Sequence, residues 1–107
     1  MSGLNTSSSD GIARVVFDRP SVLNALSPAV LDELVAACGD IARDESIKVV
    51  RFEGAGSSFS AGADLPAFLS ALGSDDPQRI ADLGRVATNA IAELPQITIV
   101  GITGHCV

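Results

Sequence analysis

Positive charge, cysteine and histidine are all scarce in this 107-residue sequence, and no apolar run in it reaches membrane-spanning length. Seven Lys and Arg against thirteen Asp and Glu leave a formal net charge of −6, with the basic residues scattered. Phosphate backbones need a clustered basic face, so nucleic acid is not an expected partner. The two cysteines, Cys38 inside a helical pattern and Cys106 near the C-terminus, are too few for a disulfide framework, and no secretory hydrophobic segment precedes the domain. The expected compartment is therefore a reducing cytoplasm. The tail ITIVGITGHCV is apolar but has 11 residues and two glycines, against the roughly 20 needed to cross a bilayer. It reads as a buried strand, and no membrane partner is expected. No Walker-type lysine follows the glycines, and GxSxG, CxxC and HExxH are absent. Those phosphate, acyl-serine, redox and zinc chemistries are unsupported, and no metal or cofactor is expected.

What is present is core-forming. Hydrophobic residues make up 47% of the chain and charged residues 19%, a balance that favours a packed domain over disorder. Residues 1–10, MSGLNTSSSD, are polar and read as a flexible leader, so the domain is expected over 11–107. Ile12 to Phe17 predicts a strand, which Pro20 in DRP ends. Ser27 as N-cap and Pro28 at the first helical position open a helix. Its apolar stripe is Leu31, Leu34, Val35, Cys38 and Ile41. Ile47 to Gly54 reads as a covered strand, and a second helix starts at Asp76 and Pro77 and stops at Pro95. Ile97 to Ile102, continuously apolar and β-branched, predicts a second buried strand in the same sheet. Strand, helix and strand together predict an α/β fold with a right-handed crossover.

In an open α/β sheet ligands bind outside the carboxyl ends of the strands. Two Gly-rich exits, after Glu53 and after Ile102, therefore point at one site. The first is SSFSAGADLPAF, Ser57 to Phe68, where Ala61, Gly62 and Ala63 carry almost no side chain. Backbone N–H groups held in such a loop suit a carbonyl oxygen that gains charge during reaction, and a helical turn at DLPAFL adds a positive dipole end. The competing reading is a plain strand-to-helix turn capped by Asp64. His105, the single histidine, has no visible nucleophile or metal partner and reads as a strand-end residue lining a cavity. Ser58 and Ser60 lack a visible base, which argues against a nucleophilic role.

Three segments, VVFDRPSVLNALSPAVLDEL, IKVVRFEGAGSSFSAGADL and ITGHCV, in this order and at these separations, closely resemble the enoyl-CoA hydratase/isomerase (crotonase) superfamily over Ile12 to Val107. The resemblance implies a crotonase-like (ClpP/crotonase) α/β fold, a spiral of ββα repeats that is incomplete in this chain. It further implies an acyl-CoA substrate, which carries its own coenzyme A, and assembly as homo-oligomeric trimers or hexamers. By resemblance the Ala63 N–H donates to the thioester oxygen. The backbone of Ser60, Ala61, Gly62, Asp64 and Leu65 runs along the CoA, and the segment from Val22 through Leu23 to Ala25 forms the facing wall.

The family continues after a GHCV-like segment with a glycine triplet supplying a second oxyanion donor, followed by acid/base carboxylates. This sequence stops at Val107. Loss of one such donor costs about 100- to 1000-fold in rate, so the expectation for the isolated chain is a hydratase lineage with almost no turnover. The alternatives are an enoyl-CoA isomerase, or a truncated remnant that binds acyl-CoA or a partner without catalysis. Gln96 and Ile97 stand where the family usually has Lys-Pro, and Pro66 where a basic residue often follows AGADL. These departures bear on contacts to the CoA phosphates.

Overall fold

The computed structural model describes residues 3–107. Four strands form one sheet in the order β1 (Leu4–Ser9), β2 (Ile12–Phe17), β3 (Val49–Gly54) and β4 (Ile97–Gly101). The first pair is antiparallel, and β2, β3 and β4 run parallel. Among the described residues three α-helices lie between the strands: α1 (Pro28–Arg43), α2 (Leu65–Leu72) and α3 (Pro77–Ala92). None of the described helices is long and apolar enough to cross a membrane.

Strand β2 buries Ala13, Val15 and Phe17 on one face and turns Ile12 and Arg14 to the other. Its alternation matches the pleat of a sheet covered on one side. The covering layer is α1 and α3. Ser27 caps α1 by accepting a hydrogen bond from the Val30 N–H at 3.2 Å, and Pro28 occupies the first turn, where an N–H has no partner in any case. The expected stripe is buried at Leu31, Leu34, Cys38 and Ile41, with Val35 half-buried and Val30 added at its start. Helix α3 contributes Ile80, Leu83 and Ala87. Val15 and Val50, both fully buried, form the middle of the core.

Two expectations are corrected. Leu4 to Ser9, read as part of the leader, forms β1 and pairs along the whole of β2 from Leu4 with Phe17 to Ser9 with Ile12. Asp10 and Gly11 both have positive φ, 53° and 80°. They make the two-residue reversal whose twist matches a hairpin, and a Ser/Thr strand suits an exposed sheet edge. Residues 1 and 2 of that leader lie outside the described residues. Strand β4 forms where predicted but is not buried: Ile97 is 67% exposed, and Ile99 and Val100 are each 49% exposed. It is an edge strand that pairs with β3 alone. The face carrying Ile97 and Ile99 continues through Arg51 and Arg14, which are themselves exposed, so no described layer covers it.

On that open face Glu53 accepts hydrogen bonds from Arg14 Nε at 3.1 Å and Nη2 at 2.9 Å, and Arg51 approaches it at 3.1 Å. The parallel register places Phe17 beside Gly54 and Glu53 beside Gly101. Three chain exits, 18–27, 55–64 and 102–107, therefore leave the same end of the sheet.

Candidate active site

The three exits are woven together by backbone hydrogen bonds. Ala61 N–H donates to Leu23 C=O at 2.9 Å, Leu26 N–H to Gly62 C=O at 2.7 Å, and Asp64 N–H to Leu26 C=O at 2.9 Å. On the other side Phe59 and Ser60 N–H both donate to His105 C=O at 3.0 Å, and Val107 N–H donates to Ser60 C=O at 3.1 Å. The 57–64 loop thus lies between the turn at 22–26 and the segment 105–107. Glycine is required both within this loop, at Gly62, and at Gly54, where the chain leaves β3. Gly62 has φ +89° and faces Val107, whose Cγ1 would lie 3.3 Å from an added Cβ. A Cβ on Gly54 would stand 2.5 Å from the carbonyl oxygens of Ser58 and Phe59.

The turn is conformationally costly. Leu23 and Asn24 both lie in the left-handed region, with φ of 55° and 56°, at about 1–2 kcal/mol per residue. Asn24 is buried, and its side chain offsets that cost by bonding three separate backbone groups. Oδ1 accepts from Arg19 N–H at 2.7 Å, while Nδ2 donates to Ala55 C=O at 2.8 Å and Ser58 C=O at 2.9 Å. The Arg19 guanidinium donates to Ala25 C=O at 2.9 Å and to Asp64 Oδ2 at 3.2 Å. Asp64 also caps α2, its Oδ1 accepting from Ala67 N–H at 3.2 Å.

Every residue expected at the site falls in this one place. Val22 and Leu23 are exposed at the tip of the turn, and Ala25 sits behind them with its carbonyl on Arg19. Ser60 and Gly62 are buried, Ala61 is half-buried, and Leu65 is exposed as the first residue of α2. The carboxylate of Asp64 caps α2, as the competing reading expected, and also pairs with Arg19. Ala63 differs from its neighbours. Because Gly62 C=O bonds Leu26, the trans peptide turns the Ala63 N–H directly away from Leu26. Among the described residues this N–H donates no hydrogen bond. Ala63 also lines a cavity of about 540 Å³ whose wall includes Phe17, Phe52, Phe59, Phe68, Ile91, Ile102, Cys106 and Val107.

His105 does not line that cavity; its backbone carbonyl holds the loop, and Cys106 and Val107 form the wall instead. Gln96 is remote, donating from Nε2 to Ile41 C=O at 2.7 Å at the end of the sheet opposite the exits. Its identity therefore has no bearing on the loop. Among the described residues Ser60 Oγ bonds only backbone groups, Asn24 C=O and Gly62 N–H, with no base among its partners. Sequence reasoning missed Arg19 and Asn24. Both stand inside quoted motifs, DRP and NAL, yet a buried amide in a left-handed turn leaves no periodic signal.

A family model described as "Enoyl-CoA hydratase/isomerase" matches residues 7–107. The chain is 43% identical over 72 residues to "Probable enoyl-CoA hydratase 1, peroxisomal" of Arabidopsis thaliana, covering 65% of this chain and 27% of that protein. It is 33% identical over 95 residues to "Probable enoyl-CoA hydratase EchA17" of Mycobacterium tuberculosis, covering 89% of this chain and 36% of that protein. Among solved structures, an enoyl-CoA hydratase/carnithine racemase from Magnetospirillum magneticum superimposes with a TM-score of 0.86 at 30% identity, covering 97% of this chain and 40% of that one. An enoyl-CoA hydratase from Mycobacterium avium subsp. paratuberculosis gives 0.78 at 32% identity, covering 94% and 36%. The fold is accordingly the crotonase-type α/β fold, over a length that is 27% to 36% of these two curated relatives. With the family model matched from residue 7 to residue 107, the chain belongs to the enoyl-CoA hydratase/isomerase family.

Proposed function

We propose that the chain binds an acyl-CoA and contributes to hydration of a 2-enoyl thioester, with the thioester oxygen accepting a hydrogen bond from the Ala63 N–H. One observation carries this reading. In a loop where the neighbouring Ala61, Gly62 and Asp64 amides are all engaged, the Ala63 donor is left free, on a residue that lines an apolar cavity. Water addition forms a C3–O bond and shifts the alkene electron pair toward the carbonyl, so negative charge gathers on the thioester oxygen before C2 takes a proton. A fixed N–H aimed at that oxygen stabilises the charge without reorganising. The N-terminus of α2, capped by Asp64, adds its positive end beside the donor. The turn at Val22, Leu23 and Ala25 and the backbone from Ser60 to Leu65 form the two walls for the CoA portion.

A second reading has its own support. None of the described residues lining the cavity is a carboxylate or histidine, and proton transfer at C2 needs such a group. This chain would then bind acyl-CoA without turning it over. Titration calorimetry with crotonyl-CoA, followed by a hydration assay on the same sample, separates the outcomes. Binding with hydration supports the first reading, binding alone supports the second, and no binding overturns both. Cytoplasmic residence and assembly as trimers or hexamers belong to the same proposal, and size-exclusion chromatography of the purified chain tests the assembly.

A further inference from the structure

We infer that Ser60 and Asn24 are positioning residues for the Ala63 donor, fixing its direction before any ligand arrives. The inference rests on the acyl-CoA reading for its purpose, but its geometry stands in the free protein. Ser60 is 3% exposed and Asn24 is 1% exposed, so neither presents its side chain to bulk water. Ser60 Oγ donates to Asn24 C=O at 2.9 Å and accepts from Gly62 N–H at 3.1 Å. Gly62 C=O is held by Leu26 N–H at 2.7 Å. Both polar groups of Gly62 are therefore tied, on a residue whose φ of +89° would otherwise leave it free to move.

The Gly62–Ala63 peptide is planar, so fixing Gly62 at both ends fixes the vector of the Ala63 N–H. The Ser60 tie is only as firm as its anchor, the Asn24 carbonyl. That anchor sits in the turn that Asn24's own side chain locks to Arg19, Ala55 and Ser58. With both amide protons of Asn24 donated to carbonyls, an aspartate in its place would set a carboxylate against two carbonyl oxygens. A donor held this way acts on the charged oxygen of a transition state more than on the uncharged substrate. The expected signature is a loss of discrimination for the thioester carbonyl, not of the CoA site.

The test uses the whole chain, labelled with 15N. In the ligand-free protein the Gly62 and Asp64 amides should exchange with solvent at least about tenfold more slowly than the Ala63 amide. On addition of crotonyl-CoA the Ala63 proton should move downfield, and CoA alone should not move it. Ser60→Ala should shrink that movement and weaken crotonyl-CoA binding by about 3- to 10-fold more than it weakens CoA binding, and Ser60→Thr, which keeps the hydroxyl, should restore both. Equal exchange of Gly62 and Ala63 overturns the inference. So does a folded Ser60→Ala chain with the wild-type shift and affinity ratio. If wild type binds no crotonyl-CoA the functional reading fails, while the exchange order still decides the positioning role. If Ser60→Ala does not fold, the wild-type exchange order decides it alone.

Discussion

Arg19 Nη1 lies 3.2 Å from Asp64 Oδ2, a salt bridge between groups 45 residues apart in the chain that fastens the exit of β2 to that of β3. The two side chains are 29% and 16% exposed, so solvent screens the pair only in part. Asp64 is also the N-cap of α2, and the two roles can be separated. Asn caps helices as well as Asp but carries no charge. Asp64→Asn should therefore cost under about 1 kcal/mol, whereas Asp64→Ala should cost about 1–2 kcal/mol more through the lost cap. Urea unfolding of the three chains gives the comparison. If Asn is as damaging as Ala, the ion pair and not the cap holds the loop.

How much of this arrangement was legible depended on whether a residue announced itself by period or by chemistry. The α1 stripe and its Ser27-Pro28 start are periodic and local, and they stand in the structure as expected. The Asp10-Gly11 dipeptide was a hairpin signal of its own, masked by the low apolar content of Leu4 to Ser9, which an edge strand tolerates. In the other direction, the apolar run of β4 did not imply cover, because burial is decided by which layers lie above a strand and not by the strand itself. The site loop was legible through its small residues. Asn24 was not, since its value lies in three backbone partners, at Arg19, Ala55 and Ser58, that only the folded chain brings around it.

Two glycine substitutions of identical chemistry should have opposite effects. At Gly62 the backbone is at φ +89° and an added Cβ would press on Val107 at 3.3 Å. Gly62→Ala should destabilise by about 1–2 kcal/mol and weaken acyl-CoA binding, since the Ala63 peptide must tilt. At Gly84, inside α3, nothing lies within 4 Å of the added Cβ, and Gly84→Ala should stabilise by about 0.5–1 kcal/mol through helix propensity and a less mobile unfolded chain. Thermal melts of both variants measure the signs. A destabilising Gly84→Ala would mean that α3 does not sit as described.

The two cysteines should differ sharply in reactivity. Cys38 is buried in α1, and its burial raises the thiol above its ordinary pKa, so little thiolate forms near neutral pH. Cys106 is exposed and lines the same cavity as Ala63. Iodoacetamide should label Cys106 promptly and Cys38 only as the chain unfolds, with peptide mass spectrometry locating the label. Saturating crotonyl-CoA should slow labelling at Cys106 and leave Cys38 unchanged. Protection by CoA alone would place the ligand's polar part, and not its acyl part, at the cavity.

Acid should weaken the open face of the sheet through Glu53. Its carboxyl is held below the usual glutamate value of 4.5, first by the hydrogen bonds from Arg14 and then by the charges of Arg14 and Arg51. A group whose pKa is depressed on folding binds its proton more readily when unfolded. The stability it contributes is therefore fully present above 4.5 and is lost as the pH falls through its lower folded value. Asp44 and Asp75 are shifted in the same direction, by hydrogen bonds from Ser46 and Arg79 respectively, so the acid limb has more than one source. Glu53→Gln should accordingly flatten the fall in stability below pH 4.5 without abolishing it, and should lower the plateau above that pH, because Arg14 and Arg51 then face each other across the β2–β3 register with no anion between them. Urea midpoints measured across this range check both features. Curves that run parallel for the two chains would show that the Arg14–Glu53–Arg51 cluster is as well solvated folded as unfolded.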